Sequence, residues 1–209
     1  MTAVNTRTLS LTLAAGAALA LTLAGCGSES MTATGPESSV SKAATSPPAT
    51  EPAAPRSGCP TAAPTSTGTP EWTLQGATGG VSVTGSTDST APLVTVDSPF
   101  SVTETQVHTL RAGDGPVVAP TATVSVCYMG VNGRDGSVFD SSYERGEPVE
   151  FPLDGVVPGF QKAIAGQKVG STVAVAMTSA DGYPDGQPRA GIQPGDSLIF
   201  AIKILGVSG

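Results

Sequence analysis

The sequence is short of charge, of aromatic rings and of the side chains that commonly build a reactive centre. Only 13% of its 209 residues are charged and 4% are aromatic, so surface polarity must come largely from Ser and Thr. Basic residues number 10 against 17 acidic ones, a formal net charge of −7. Such a balance offers no basic surface, and nucleic acid is excluded as a partner class. There is one histidine. A closed zinc site takes four clustered ligands, so His108 reads as an ordinary strand residue. The three cysteines include no Cys-x-x-Cys pair. Neither metal nor cofactor is expected.

Glycine and proline, by contrast, are abundant, 26 and 18 residues. Together they make about a fifth of the chain, too much for uniform packing and a sign of a disordered part. Residues 1–25 read as a secretory leader: Arg7 supplies a positive charge, and Leu9 to Ala24 is almost wholly apolar. The leader ends in Leu23-Ala-Gly-Cys26, which resembles a bacterial lipobox, with small residues ahead of a cysteine that receives lipid before cleavage. A plain membrane span is the alternative, but no Lys or Arg cluster comes after it to stop transfer. The expected product is lipid-anchored through Cys26 at the outer face of a membrane. Acyl chains add about 0.8 kcal/mol of attachment per buried CH₂.

Residues 26–69 are Ser, Thr, Ala, Pro and Gly with few large apolar side chains. Burial there cannot offset the ordering entropy of about 1–2 kcal/mol per residue, so a disordered tether is expected. Apolar content returns at Glu71-Trp-Thr-Leu74. Residues 70–107 form a β-rich lead-in, with short strands at Val81-Ser-Val, Leu93-Val-Thr-Val and Phe100-Ser-Val. These could make a hairpin packed on the main sheet, and Trp72 reads as their anchor. Cys59 and Cys127 are the remaining thiols. Oxidation is permitted outside the membrane, which favours a bridge pinning the end of the tether; two free small residues are the alternative.

The chain is organised around residues 124–200. Thr123-Val-Ser-Val-Cys-Tyr-Met129 alternates apolar and polar residues with period two, the mark of a half-buried strand. It meets Ser137-Val-Phe139 across the turn Asn132-Gly-Arg-Asp-Gly136. Asp140-Ser-Ser142 then breaks regular structure, because short polar side chains bond back to the backbone. Aromatic rings sit there beside one carboxylate, as suits a pocket.

Several motifs here resemble the FKBP-type peptidyl-prolyl cis-trans isomerase family. They are Gly113-Asp-Gly, Val124-x-Val-x-Tyr-x-Gly130, Asp135-Gly-x-x-Phe-Asp-Ser-Ser142, Arg145-Gly-x-Pro148, Val156-Val-Pro-Gly-Phe160 and Gly166-x-x-x-Gly170. Gly182-Tyr183, Gly191-Ile-x-Pro194 and Leu198-x-Phe200 come next in the family's order. The likeness covers roughly residues 100–209, and the domain is placed at 108–209.

The resemblance implies an α+β fold, a bent antiparallel sheet of about five strands wrapped over one short helix. That helix should run from Gly159 to about Ala165, started by Pro158 and ended by Gly166. Phe160 and Ile164, four apart, share its inward face. Val169 to Thr178 and Ser197 to Leu205 alternate as strands. Position by position, the resemblance lines a pocket with Tyr128, Phe139, Asp140, Val149, Phe151, Val156, Val157, Phe160, Tyr183, Ile192 and Phe200. Within it, Tyr128, Phe139, Asp140, Tyr183, Ile192 and Phe200 carry the catalytic role. Val149, Phe151, Val156, Val157 and Phe160 bind substrate. The Tyr183 hydroxyl and the Ile192 N–H should hold substrate carbonyls, while Asp140, hydrogen-bonded to Tyr128, orients the pocket. Cys127, next to Tyr128 on its strand, should face away from that pocket.

Val149 stands where relatives often carry an aromatic ring, and Pro184 where they often carry glycine. Glu144, Arg145 and Asp185 read as solvated, with a pairing of Arg145 to Asp140 as an alternative. The implied function is prolyl isomerisation of exported polypeptides, with macrolides as a second ligand class. A tethered module that binds proline-containing segments without turnover is the competing reading, and a structural domain of the envelope is a third.

Overall fold

A computed structural model describes residues 58–64 and 68–208. The leader at 1–25, Cys26 and most of the tether lie outside the described residues. The described chain falls within one unit, Glu51–Gly209.

Three strands come first: β1 (Trp72–Gln75), β2 (Thr78–Thr84) and β3 (Leu93–Ser101). They pair antiparallel in the order β1-β2-β3. The two runs expected at Leu93 and Phe100 are one strand. Then come β4 (Gln106–Arg111), β5 (Thr123–Asn132), β6 (Val138–Ser141), a single helical turn α1 (Ser142–Arg145) and β7 (Val149–Pro152). Helix α2 (Pro158–Ile164), β8 (Thr172–Met177) and β9 (Leu198–Ser208) complete the chain. These later strands form a six-stranded antiparallel sheet ordered β4-β8-β9-β5-β6, with β7 also on β5. It has one strand more than the five or so expected, and His108 lies inside β4.

Helix α2 is where the sequence places it. Pro158 occupies its first turn, where a missing N–H costs nothing and φ is already set. Phe160, Ala163 and Ile164 bury against the sheet with Val124, Val126, Val173, Val175, Ile202 and Ile204. This is the main core.

The other face of the same sheet is not open to solvent. Val81, Val83 and Phe100 of the first sheet pack on Ala174 and Ala176 of β8 and Ile199 and Ala201 of β9. Every residue of β8 is consequently buried, where a half-buried, alternating strand was expected. The signal for this second layer is the small residues, since Ala174, Ala176 and Ala201 let another sheet approach closely. Trp72 stacks on His108 with ring centroids 5.7 Å apart, joining the lead-in to β4. The division between 70–107 and 108–209 is therefore crossed by a shared core.

Cys59 and Cys127 are joined by a disulfide. Cys127 turns away from Tyr128 into a small cluster with Ala91 and Tyr143, as alternation along β5 requires.

Phe100 is 2% exposed, and Phe100→Ala should cost about 3–5 kcal/mol through the cavity it leaves. Trp72 is the only tryptophan, so its fluorescence reports the lead-in and its contact with His108 of β4. Denaturation followed by fluorescence and by far-ultraviolet circular dichroism should give coincident transitions. Separate midpoints would show the two sheets to be independent.

Candidate functional site

Along β5 the alternation that buries Val124 and Val126 carries Tyr128 to the sheet's helix-facing side. The Tyr128 backbone is fixed by Ser142, whose Oγ accepts from the Tyr128 N–H at 2.8 Å and donates to its carbonyl at 3.3 Å. Strand β6, registered Gly130 opposite Asp140, brings in Phe139 and Asp140. Gly130 is required at this point. A Cβ there would lie 2.6 Å from Phe139 Cζ and 2.9 Å from Phe200 Cε1, so the two rings meet only because the backbone is bare.

The result is a cavity of about 350 Å³, at the lower end of small-molecule sites. Its lining is Tyr128, Phe139, Asp140, Phe151, Gly155, Val156, Val157, Phe160, Tyr183 and Phe200. The rings pack edge to face. Phe160 and Phe200 centroids lie 5.4 Å apart at 81°, Phe139 and Phe200 5.5 Å apart at 87°, and Tyr128 and Phe160 5.9 Å apart at 86°. Such geometry sets positive ring edges against negative faces and holds each ring in place.

One carboxylate lies in this apolar setting, and both its oxygens are occupied. Asp140 Oδ2 accepts the Tyr128 hydroxyl, and Arg145 Nη1 donates to Oδ1 at 2.7 Å. Arg145 Nη2 lies 3.4 Å from the Tyr128 hydroxyl oxygen. The alternative pairing of Arg145 is thus the one observed. Helix α1 makes it possible: Ser141 caps the turn by accepting from the Glu144 N–H, and Gly146 closes it at φ 75°.

Burial pushes the Asp140 carboxyl upward, but the Tyr128 hydroxyl and the Arg145 guanidinium outweigh it and hold it below the usual carboxylate value. Burial, reinforced by the bond to Asp140, pushes the Tyr128 phenol up to about 12. Asp140 is therefore a fixed anion and Tyr128 a fixed donor at neutral pH. The pair can orient and polarise; neither is poised to exchange a proton.

Nine of the eleven pocket residues expected from the sequence line the cavity; Val149 and Ile192 do not. Val149 pairs with Val126 across β5 and β7 and packs on the main core. Ile192 is 2% exposed and belongs to that core. Its N–H was expected to hold a substrate carbonyl but donates to the Gln187 carbonyl at 3.1 Å, while Gln187 N–H donates back at 2.8 Å. This reciprocal bridge satisfies the donor inside its own loop. Gly155 is an addition, sitting where the chain leaves a short 3₁₀ turn after β7. Asn132, Arg134 and Asp196, which hold the loop bearing Tyr183, were also missed. They carry no periodic signal, and Arg134 reads only as part of a polar turn. Among the described residues no group of three or more His, Cys, Asp or Glu side chains could hold a metal ion.

Residues 115–205 match the family described as FKBP-type peptidyl-prolyl cis-trans isomerase. The chain is 38% identical over 100 residues to the FKBP-type 22 kDa peptidyl-prolyl cis-trans isomerase of Escherichia coli, covering 48% of this chain and 48% of that protein. It therefore spans about half the length of that relative. It is 38% identical over 98 residues to the FK506-binding protein of Streptomyces anulatus, covering 46% of this chain and 79% of that one. A solved peptidyl-prolyl cis-trans isomerase from Pseudomonas syringae aligns over 50% of this chain and 76% of its own, at 29% identity and TM-score 0.46.

The shifted groups set the pH response. A carboxyl held low when folded contributes stability above its unfolded value, near 3.9, and loses it as pH falls through the depressed folded value. Arg145→Ala removes one partner, so Asp140 should titrate at higher pH, read by carboxyl carbon NMR. On the alkaline side, stability linked to Tyr128 should be complete below about pH 10 and decline as pH rises through about 12. An Asp140 titration unmoved by Arg145→Ala would remove the guanidinium from this account.

Proposed function

Because the chain belongs to the FKBP-type peptidyl-prolyl cis-trans isomerase family, we propose that it catalyses cis-trans isomerisation of X-Pro bonds in exported polypeptides. The observation that supports this reading most directly is the ring-lined cavity with its charge-fixed Asp140 at one wall. An X-Pro bond relaxes over tens to hundreds of seconds unaided, because rotation must break amide resonance. No covalent bond is broken, so no nucleophile is needed.

Water stabilises the planar amide more than the twisted one, since the planar form carries more charge on its carbonyl oxygen. Moving the bond into an apolar cavity therefore raises the ground state more than the transition state, and the barrier falls. Phe139, Phe160, Val157 and Phe200 grip the proline ring and exclude water. Phe151 and Val156 extend that wall. The Tyr183 hydroxyl holds a substrate carbonyl. Tyr128 and Asp140, locked together, set the electrostatics at the carbonyl without transferring a proton. A macrolide with a proline-like ring is a competitor for the same cavity.

Two features of this chain favour a second reading, a module that binds proline-containing segments with little turnover. The Ile192 N–H is already bonded within its loop, and Pro184 comes directly after Tyr183, restricting how the loop can re-aim that hydroxyl. Turnover separates the readings. NMR exchange on a short X-Pro peptide should show acceleration by the full chain. Phe139→Ala and Asp140→Ala should each lower kcat/KM by about tenfold or more, in the range seen when an oriented transition-state contact is removed. Binding of the peptide without acceleration, by folded protein, would leave the module reading in its place.

The location belongs to the same proposal: a lipid on Cys26 holds the protein to the outer face of a membrane, where it meets clients in extended form. The wild-type chain should incorporate a labelled fatty acid, and Cys26→Ala should abolish that incorporation. A wild-type chain that takes up no acyl label would refute the lipid anchor.

A further inference from the structure

The segment between β8 and β9 brings Tyr183 to the cavity, and its far end is gripped by a polar cluster that the proposed reaction does not use. Asp196 is 8% exposed, and its Oδ2 accepts three donors. These are Asn132 Nδ2 at 2.7 Å, the Gln193 N–H at 2.9 Å and Arg134 Nε at 3.3 Å. Arg134 Nη2 donates to the Gly191 carbonyl at 3.0 Å, and Nη1 pairs with Asp135 at 2.9 Å. One guanidinium thus spans the β5–β6 turn and the Tyr183 loop.

That turn is itself immobilised from the lead-in side. The Gly133 carbonyl accepts the Phe100 N–H at 2.8 Å, and the Gly133 N–H donates to the Ser197 carbonyl at 2.9 Å. Ser197 Oγ accepts the Val102 N–H at 3.1 Å. A Cβ at Gly133 would lie 2.6 Å from the Phe100 carbonyl oxygen and 2.8 Å from that of Ser197, so no other residue fits between β3 and β9. The turn is a wedge held by both sheets, and Arg134 projects from it to the loop.

We propose that Arg134 and Asp196 are positioning residues of the isomerase site: they clamp the loop carrying Tyr183 to the β5–β6 turn, and through Gly133 to the lead-in sheet. This rests on the isomerase reading for its effect on rate, but the clamp itself is a property of the loop. Burying a carboxylate is costly unless it is fully hydrogen-bonded. Asp196 meets that condition by drawing on β5, on the turn and on the loop at once. Loss of any one donor frees the loop where it closes over the cavity. Arg134 cannot be replaced by lysine here, because a single ammonium cannot reach Asp196, the Gly191 carbonyl and Asp135 from three nitrogens in one plane.

The test uses the full chain with Arg134→Lys, Tyr183→Phe and the double variant. Arg134→Lys should lower kcat/KM for an X-Pro peptide by about tenfold, as misplacement of a substrate-holding group does, with the chain still folded at the assay temperature despite the stability lost with one Asp196 donor. Its effect and that of Tyr183→Phe should combine to less than their product, because the lysine variant has already misplaced the hydroxyl. Effects that multiply, or wild-type kcat/KM in Arg134→Lys, would overturn the proposal. Amide relaxation gives a readout free of activity: resonances of 183–195 should broaden in Arg134→Lys. If the wild-type chain fails to accelerate isomerisation, the isomerase reading falls. The clamp then stands on the broadening, and unchanged loop relaxation overturns it.

Discussion

Strands β8 and β9 are covered on both faces, and this double burial is the constraint on which the rest of the molecule depends. One face takes α2 and the aromatic floor of the cavity; the other takes the lead-in sheet through Ala174, Ala176 and Ala201. A sheet with a helix on one side only would leave the back of β9 wet beside Phe200, and β9 would be free to flex. With both faces packed, β9 is held between two close-packed layers, Phe200 toward the helix and Ile199 and Ala201 toward the lead-in sheet, and close-packed layers transmit displacement instead of absorbing it. The cavity thus opens on the front of a sheet whose back is fully packed.

The cavity combines features that oppose each other in most interiors. Its apolar rings exclude water, yet a charged carboxylate stands at the wall. The conflict is resolved by pairing: Tyr128 and Arg145 take one Asp140 oxygen each, and partial exposure of the ion pair spares it full desolvation. The charge stays in place beside a wall of apolar rings. The same solution recurs at Asp196, more deeply buried, where three donors surround one oxygen. Both carboxylates act by holding other groups.

Much of this was legible in the sequence, for identifiable reasons. Period-two alternation marks β5, and Pro158 with Gly166 brackets α2. The ordered motifs place nine lining residues at one site, because strand register and the helix face are local rules that survive folding. What was hidden depends on partners distant in sequence. Ile192 looked available until Gln187 paired with it. Val149 looked like a thin wall, but it packs on the main core and does not line the cavity that Phe151 on the same face reaches. Arg134 and Asp196 meet across 62 residues, and no local pattern announces such a contact. The full burial of β8 was hidden for a related reason, since it requires a second sheet that only the small side chains hint at.

The disulfide has a mechanical consequence. Cys59 is bonded to Cys127 in the middle of β5, 68 residues further along the chain. Any pull on the chain ahead of Cys59 passes through the sulfur bridge into the central strand pair, bypassing the loop that contains the whole lead-in sheet. Strand β5 is registered with β9 from Thr123 to Asn132, so load entering at Cys127 meets a strand held by backbone bonds on both sides of that residue. Strands β1, β2 and β3 lie inside that covalent loop, so load entering at Cys59 reaches β5 without passing along them.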